Sequence, residues 1–177
     1  RLWSVTSPYA DPLSLVAHAD VVNDMVFNHD GRWLATASED NTVRLWSMSD
    51  TTEAPITLSG HEGGVDLVTF SPNGSWLATA SANDKTAQLW KMTEPVTSIA
   101  TLKGHEAPIN ALVFSPNSEW LATASGNIFD LQADNTVRLW RTDDPTATPI
   151  ILEGHEAPIT DLDFSPNGQL IATASED

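Results

Sequence analysis

Four histidines, His18, His61, His105 and His155, recur along the chain, and Asp40, Asp84 and Asp134 follow the first three at similar distances. Serine and threonine hydroxyls lie between them. An imidazole held by a carboxylate and facing a hydroxyl is the apparatus of acyl transfer, so His61, Asp84 and Ser81 can be read as a hydrolase-like triad. A reaction needs that set once, however, and here it is repeated. A buried imidazole or indole N–H costs a few kcal/mol unless it is partnered. A recurring polar set is therefore better read as the internal wiring of a recurring structural unit than as a reaction centre. The fifth histidine, His29, stands in a turn sequence and is read as solvated.

Other chemistries are poorly served. The chain has no cysteine, which removes disulfides, thiolate metal sites and thiol nucleophiles together. Carboxylate neighbours such as Glu39-Asp40 and Asp143-Asp144 are ordinary in a chain with 24 acidic residues. No calcium-loop spacing, metal-type His pair or glycine-rich phosphate loop occurs, so neither metal nor cofactor is expected. Against the acidic residues stand eight Lys and Arg, for a formal charge of −16. That balance excludes the basic footprint needed for nucleic acid or anionic lipid. No apolar run approaches the ~18 residues of a membrane span, and no basic-then-apolar stretch marks a leader. The expectation is a cytoplasmic protein. With 41% apolar residues in 177, a core can be buried.

The elements that must position these residues repeat with them. Leu/Ile-Ala-Thr-Ala-Ser occurs at Leu34–Ser38, Leu77–Ser81, Leu121–Ser125 and Ile171–Ser175, and a tryptophan recurs at Trp3, Trp46, Trp90 and Trp140. These markers and the histidines share the same intervals of 43, 44 and 50 residues, which establishes a true repeat with one insertion. Each unit reads as four short strands. Val22–Phe27, Val65–Phe70, Ile109–Phe114 and Ile159–Phe164 run into Asn/Pro/Gly turns. A second strand follows, then the polar turn with the aspartate, then a third strand ending in Leu-Trp. A fourth strand (Pro55–Leu58, Thr97–Leu102, Pro149–Leu152) precedes the next histidine. Turn signals every 8–12 residues indicate an antiparallel all-β array, and no segment holds a helical apolar period.

Gly60-His61 and Gly104-His105, each followed later by an aspartate and a Leu-Trp, with Gly154-His155 in the same column, make the sequence resemble the WD-repeat (WD40) β-propeller family over essentially its whole length. Ala17 replaces the glycine before His18, and Ser47, Lys91 or Arg141 follows the tryptophan in place of aspartate. The resemblance implies four-stranded blades in which aspartate meets histidine, histidine meets a hydroxyl, and the hydroxyl meets the indole N–H. It assigns Asp40 with Trp46, His61 with Asp84 and Trp90, and His105 with Asp134 and Trp140 to such networks, with His18 and His155 in the same column. Thr36 or Ser38, Thr79 or Ser81, and Thr123 or Ser125 are alternative hydroxyl partners, since each pair shares a strand face. The implied division is 17–58, 59–102 and 103–152 for complete blades. Residues 1–16 supply strands c and d, and 153–177 strands a and b, of a shared blade. The family resemblance implies a non-catalytic protein–protein interaction scaffold. The near-identical phrases also resemble propeller arrays attached to bacterial signalling ATPases, as sensor modules. The alternatives are a propeller enzyme with a site at the channel mouth, or an amplified or designed repeat without a native partner.

One feature escapes the repeat. Ser125 to Asp134 spans nine residues, where Ser38 to Asp40 spans two and Ser81 to Asp84 three. In the family this loop faces the partner side, and Ile128, Phe129, Asp130 and Leu131 are candidate partner-binding residues, because large apolar side chains suit a solvated loop tip poorly. Packing against the neighbouring blade is the alternative. Glu62, Glu106 and Glu156, with Asp20 near the equivalent place, form an acidic rim that favours a basic protein or peptide partner. The strand count, 16, makes four blades' worth per chain when the ends are pooled. Sheet edges are liabilities, and the family builds wider rings, so the expectation is an eight-bladed homodimer closed by shared blades. A four-bladed ring and a portion of a longer propeller are the alternatives.

Overall fold

The computed structural model describes residues 1–127, 129 and 134–177. They form an all-β structure of three four-stranded antiparallel sheets and one two-stranded sheet. The first sheet comprises β1 (Val22–Phe27), β2 (Trp33–Ser38), β3 (Thr42–Ser47) and β4 (Ile56–Ser59). The second comprises β5 (Leu67–Phe70), β6 (Trp76–Ser81), β7 (Thr86–Lys91) and β8 (Thr97–Leu102). The third comprises β9 (Ile109–Phe114), β10 (Trp120–Ser125), β11 (Val137–Arg141) and β12 (Ile150–Leu152), and the fourth β13 (Ile159–Phe164) and β14 (Ile171–Ser175). Strand order follows chain order in every sheet.

The hairpins form for the reasons legible in their turns. In the second sheet Ser71 N–H donates to the Trp76 carbonyl (2.9 Å), Gly74 N–H to the Ser71 carbonyl (2.8 Å), and the Ser71 hydroxyl to Asn73 Oδ1 (2.8 Å). Gly74 takes φ 69°, a conformation that glycine adopts without strain.

Residues 1–16 differ from expectation. The anticipated pair of strands reduces to one bridge, Leu2 with Leu13, so the described residues hold 14 strands and not 16. A two-stranded ribbon with no third strand beside it has too little burial to order fully. The first strand of the second unit is also shorter than the expected Val65–Phe70. Val65 N–H leaves the ladder and donates to the Ser38 carbonyl of the preceding sheet at 2.9 Å.

Neighbouring sheets pack in one repeated way. Ala35, Ala37, Val43, Leu45 and Leu58 of the first sheet meet Val65, Val68, Phe70, Leu77 and Trp90 at the second. Ala78, Ala80 and Leu89 meet Ile109, Phe114, Leu121 and Trp140 in the same columns, and Ala122, Ala124 and Val137 meet Ile159 and Leu162. Alanine on the second strand lets the next sheet approach closely, and the branched and aromatic side chains fill the gap. Each fully buried leucine here contributes on the order of 2 kcal/mol. Both outer faces of the series lack such cover. Met25 is 67% exposed and Phe27 52%, where their counterparts Val68 and Phe70 are 5% and 9%. Ala172 and Ala174 are exposed, whereas the alanines of β2, β6 and β10 are sealed.

Candidate functional site

Each complete sheet carries one polar relay, built from the loop before its first strand, its second strand, the following turn and its third strand. In the second sheet His61 Nδ1 lies 2.9 Å from Asp84 Oδ2 and His61 Nε2 lies 2.8 Å from Thr79 Oγ1. Trp90 Nε1–H donates to the same Thr79 oxygen at 3.1 Å. The corresponding distances are 2.9, 2.7 and 3.0 Å for His18, Asp40, Thr36 and Trp46. They are 2.7, 2.8 and 3.0 Å for His105, Asp134, Thr123 and Trp140.

Proton bookkeeping fixes the direction of the chain from its two ends. An indole N–H can only donate and an ionised carboxylate can only accept, so the threonine oxygen accepts from tryptophan and His Nδ1–H donates to the aspartate. In the neutral ring Nε2 is then the acceptor, and the threonine hydroxyl donates to it. Burial pushes the His61 pKa below its usual range, against the opposing pull of Asp84. Burial acts to raise the Asp84 pKa, but the Thr86 hydroxyl and His61 outweigh it and hold the carboxyl below the usual carboxylate range. Asp40 and Asp134 are likewise held well below it despite burial, by hydrogen bonds from Thr42 and His105 among others. The aspartate also orders the loop: its Oδ2 accepts the backbone N–H of Ala19, Glu62 or Glu106.

Asp–His–Thr therefore has the connectivity of a hydrolase triad, but not its accessibility. Thr79 and Thr123 are fully buried, and their oxygens are already occupied by an indole. Ser81, the nucleophile in the triad reading, does not face His61: its Oγ accepts the Asp84 N–H at 3.2 Å. Ser125 Oγ donates instead to the Asp134 carbonyl. Of each hydroxyl pair left open by the sequence, the structure brings the threonine to the histidine. Strand-face parity could not discriminate, because both residues point the same way; the tryptophan decides, in register with the leucine two residues before the threonine.

The fourth sheet holds part of a relay. His155 reaches Asp177 at 2.9 Å and Thr173 at 2.7 Å, but no indole meets Thr173 among the described residues, and Trp3 is exposed. The Gly-His pairs have a packing reason. A Cβ at Gly104 would run into the Arg138 guanidinium, and one at Gly60 into the Gln88 amide. Where Ala17 stands, Arg44 Nη1 donates to Thr57 Oγ1 at 3.0 Å.

On the loop side, Glu62, Glu106, Glu156 and Asp20 are exposed. Of the apolar insertion, Phe129 is almost wholly exposed, whereas Ile128, Asp130 and Leu131 lie outside the described residues. The root of the insertion is tied down. Gly126 N–H donates to the Pro108 carbonyl, and a Cβ at Gly126 would collide with Pro158 of the next unit.

The chain matches the family described as WD domain, G-beta repeat over residues 12–47, 53–91, 96–141 and 146–177. It belongs to the WD40 family. No curated protein matches it. WD40 repeats are generally non-catalytic interaction modules, and in this WD40 chain the triad-like geometry recurs in every sheet and is buried in the three complete ones. Among the described residues no three His, Asp or Glu side chains are grouped to hold a metal ion, and no helix is long and apolar enough to cross a membrane. The first three matched segments begin before a histidine and end at the close of a third strand, so the family's sequence unit straddles the sheets of the WD40 fold.

Proposed function

We propose that the chain is a protein-interaction scaffold or sensor module that presents an acidic loop face to a basic protein or peptide. The observation that carries this reading is the use of the histidines, aspartates and threonines in one relay per sheet, which leaves the loops and the rim to vary. The exposed Glu62, Glu106 and Glu156 support the basic partner, and exposed Phe129 supports a docking role for the insertion around it. A cytoplasmic setting fits the absence of cysteine. The blade division 17–58, 59–102 and 103–152, with 1–16 and 153–177 contributing to a shared blade, belongs to the same reading.

Two features support closure by a second copy into an eight-bladed homodimer. The uncovered Met25 and Phe27 face has the side-chain pattern that alanine faces cover elsewhere, and Ala172 and Ala174 offer such a face. Among the described residues Thr173 receives no indole donor and Trp3 finds no acceptor. In the dimer, β14 of one copy lies beside Arg1–Trp3 of the other, and Trp3 donates to Thr173. Light scattering over a dilution series tests this. The expected result is a folded species at twice the chain mass that dissociates about thirtyfold more readily in Trp3→Phe, the loss of two hydrogen bonds, one in each shared blade. A folded species at the chain mass at all concentrations excludes the dimer.

A further inference from the structure

Equivalent clefts open on the loop side between successive sheets, and two of them are well formed. The cleft between the second and third sheets has a volume of about 420 Å³ and carries Lys85 and Lys103 in its wall. There Lys85 Nζ donates to the backbone carbonyl of Glu106, in the following unit, at 2.8 Å. The chain thus shows where an ammonium group sits in such a cleft: against the carbonyl that follows the relay histidine.

The cleft between the third and fourth sheets is larger, about 720 Å³, and its wall differs at those two positions. Asn135 stands in the column of Lys85, and Glu153 in the column of Lys103. No internal ammonium is therefore available for the equivalent carbonyl, that of Glu156. The carboxylates of Glu106, Glu153 and Glu156 line the cleft, with Asp134 behind them engaged by His105. Arg138 is the cation of the wall; its guanidinium lies over Gly104 and makes no ion pair among the described residues. His155, the remaining titratable group, is paired with Asp177. Asn135 is 9% exposed, and among the described residues its Oδ1 accepts no hydrogen bond. A buried amide oxygen without a donor is uncommon and costly, and here it belongs to a side chain of the cleft wall.

We propose that the cleft between the third and fourth sheets receives a lysine side chain of a protein partner, in the place that Lys85 occupies one unit earlier. This rests on the reading of the chain as a module for basic partners and names the site at which it acts. The partner's ammonium meets the Glu156 carbonyl, the surrounding carboxylates balance its charge, and Asn135 offers a further acceptor.

The test is titration of a capped Gly-Gly-Lys-Gly-Gly peptide into the ¹⁵N-labelled chain, with the norleucine peptide as control. The expected result is saturable shifts centred on Asn135, Glu153 and Glu156, seen only with lysine. Asn135→Lys supplies the ammonium internally and should weaken binding about tenfold or more, while Gln169→Lys, the same charge change on an exposed hairpin, should not. Lys85→Asn combined with Lys103→Glu should create a second site. Shifts spread over the whole acidic surface, equal weakening by Gln169→Lys, or no saturable response would each overturn the cleft assignment. Spread shifts, or equal weakening by Gln169→Lys, would leave the acidic face as a general surface for basic partners, whereas no response at all would count against that reading too.

Discussion

The second and fourth sheets begin from nearly the same words, Leu77–Ser81 in one and Ile171–Ser175 in the other, and they differ in almost everything but their internal hydrogen bonds. Thr79 is sealed and receives an indole; Thr173 is half-buried and receives none among the described residues. Ala78 and Ala80 are covered by the third sheet, while Ala172 and Ala174 face outward. His61 and His155 nonetheless keep the same aspartate and threonine partners at closely similar distances. Local sequence sets which groups bond within a unit. The neighbouring sheet sets what those bonds and contacts are worth, because desolvation is supplied by packing.

Removing packing should separate the two sheets most. Leu77→Ala is expected to cost about 3–4 kcal/mol, since a fully buried leucine leaves a cavity between two sheets, while Ile171→Ala should cost about 1. Urea unfolding measures both, and equal losses would break the comparison. Thr79→Val should cost about 2–3 kcal/mol, because it strands the Trp90 N–H and His61 Nε2 in a dry site, whereas Thr173→Val should stay below about 1. If dimerisation supplies Trp3 to Thr173, the second value should rise with protein concentration, which sharpens the contrast.

A smaller effect is expected from pH. The folded chain holds Asp84, Asp134 and Asp40 below the usual carboxylate range, so the unfolded chain takes up protons first as pH falls. Stability from these groups is present above about pH 4 and is lost as pH drops further. His61 is also shifted downward; its contribution is complete above about pH 6.5 and declines below it by the same linkage. Urea midpoints at pH 7.5, 5.5 and 3.5 should therefore fall in that order, with the steeper drop in the second interval. The smallest effect is reserved for the loop: Phe129→Ser should move the melting temperature by no more than about 1 °C, as befits an exposed side chain. A loss of several degrees would show that the insertion packs against its neighbours and does not dock a partner.

Much of this was readable from particular residues. Shared intervals of histidine, Ala-Thr-Ala-Ser and tryptophan define the unit, and Asn/Pro/Gly turns place its strands, because period-2 patterning and turn chemistry are local properties. The pairing of His61 with Asp84 followed from the family pattern. The hydroxyl did not, since Thr79 and Ser81 share a strand face and only the approach of Trp90 distinguishes them. Residues 1–16 carry the words of two strands yet form a single bridge, because strand formation needs a neighbour to bury against.

By itself, then, the sequence determined the repeat, the all-β units and which histidine, aspartate and tryptophan recur in each, since these depend on short-range spacing. Only the tertiary structure decided which hydroxyl completes the relay, which alanine and aromatic faces are left bare, and that Lys85 reaches across an inter-sheet cleft to the Glu106 carbonyl. Those are questions of which units adjoin, and burial and vacancy arise from surfaces meeting across distances that no local pattern encodes.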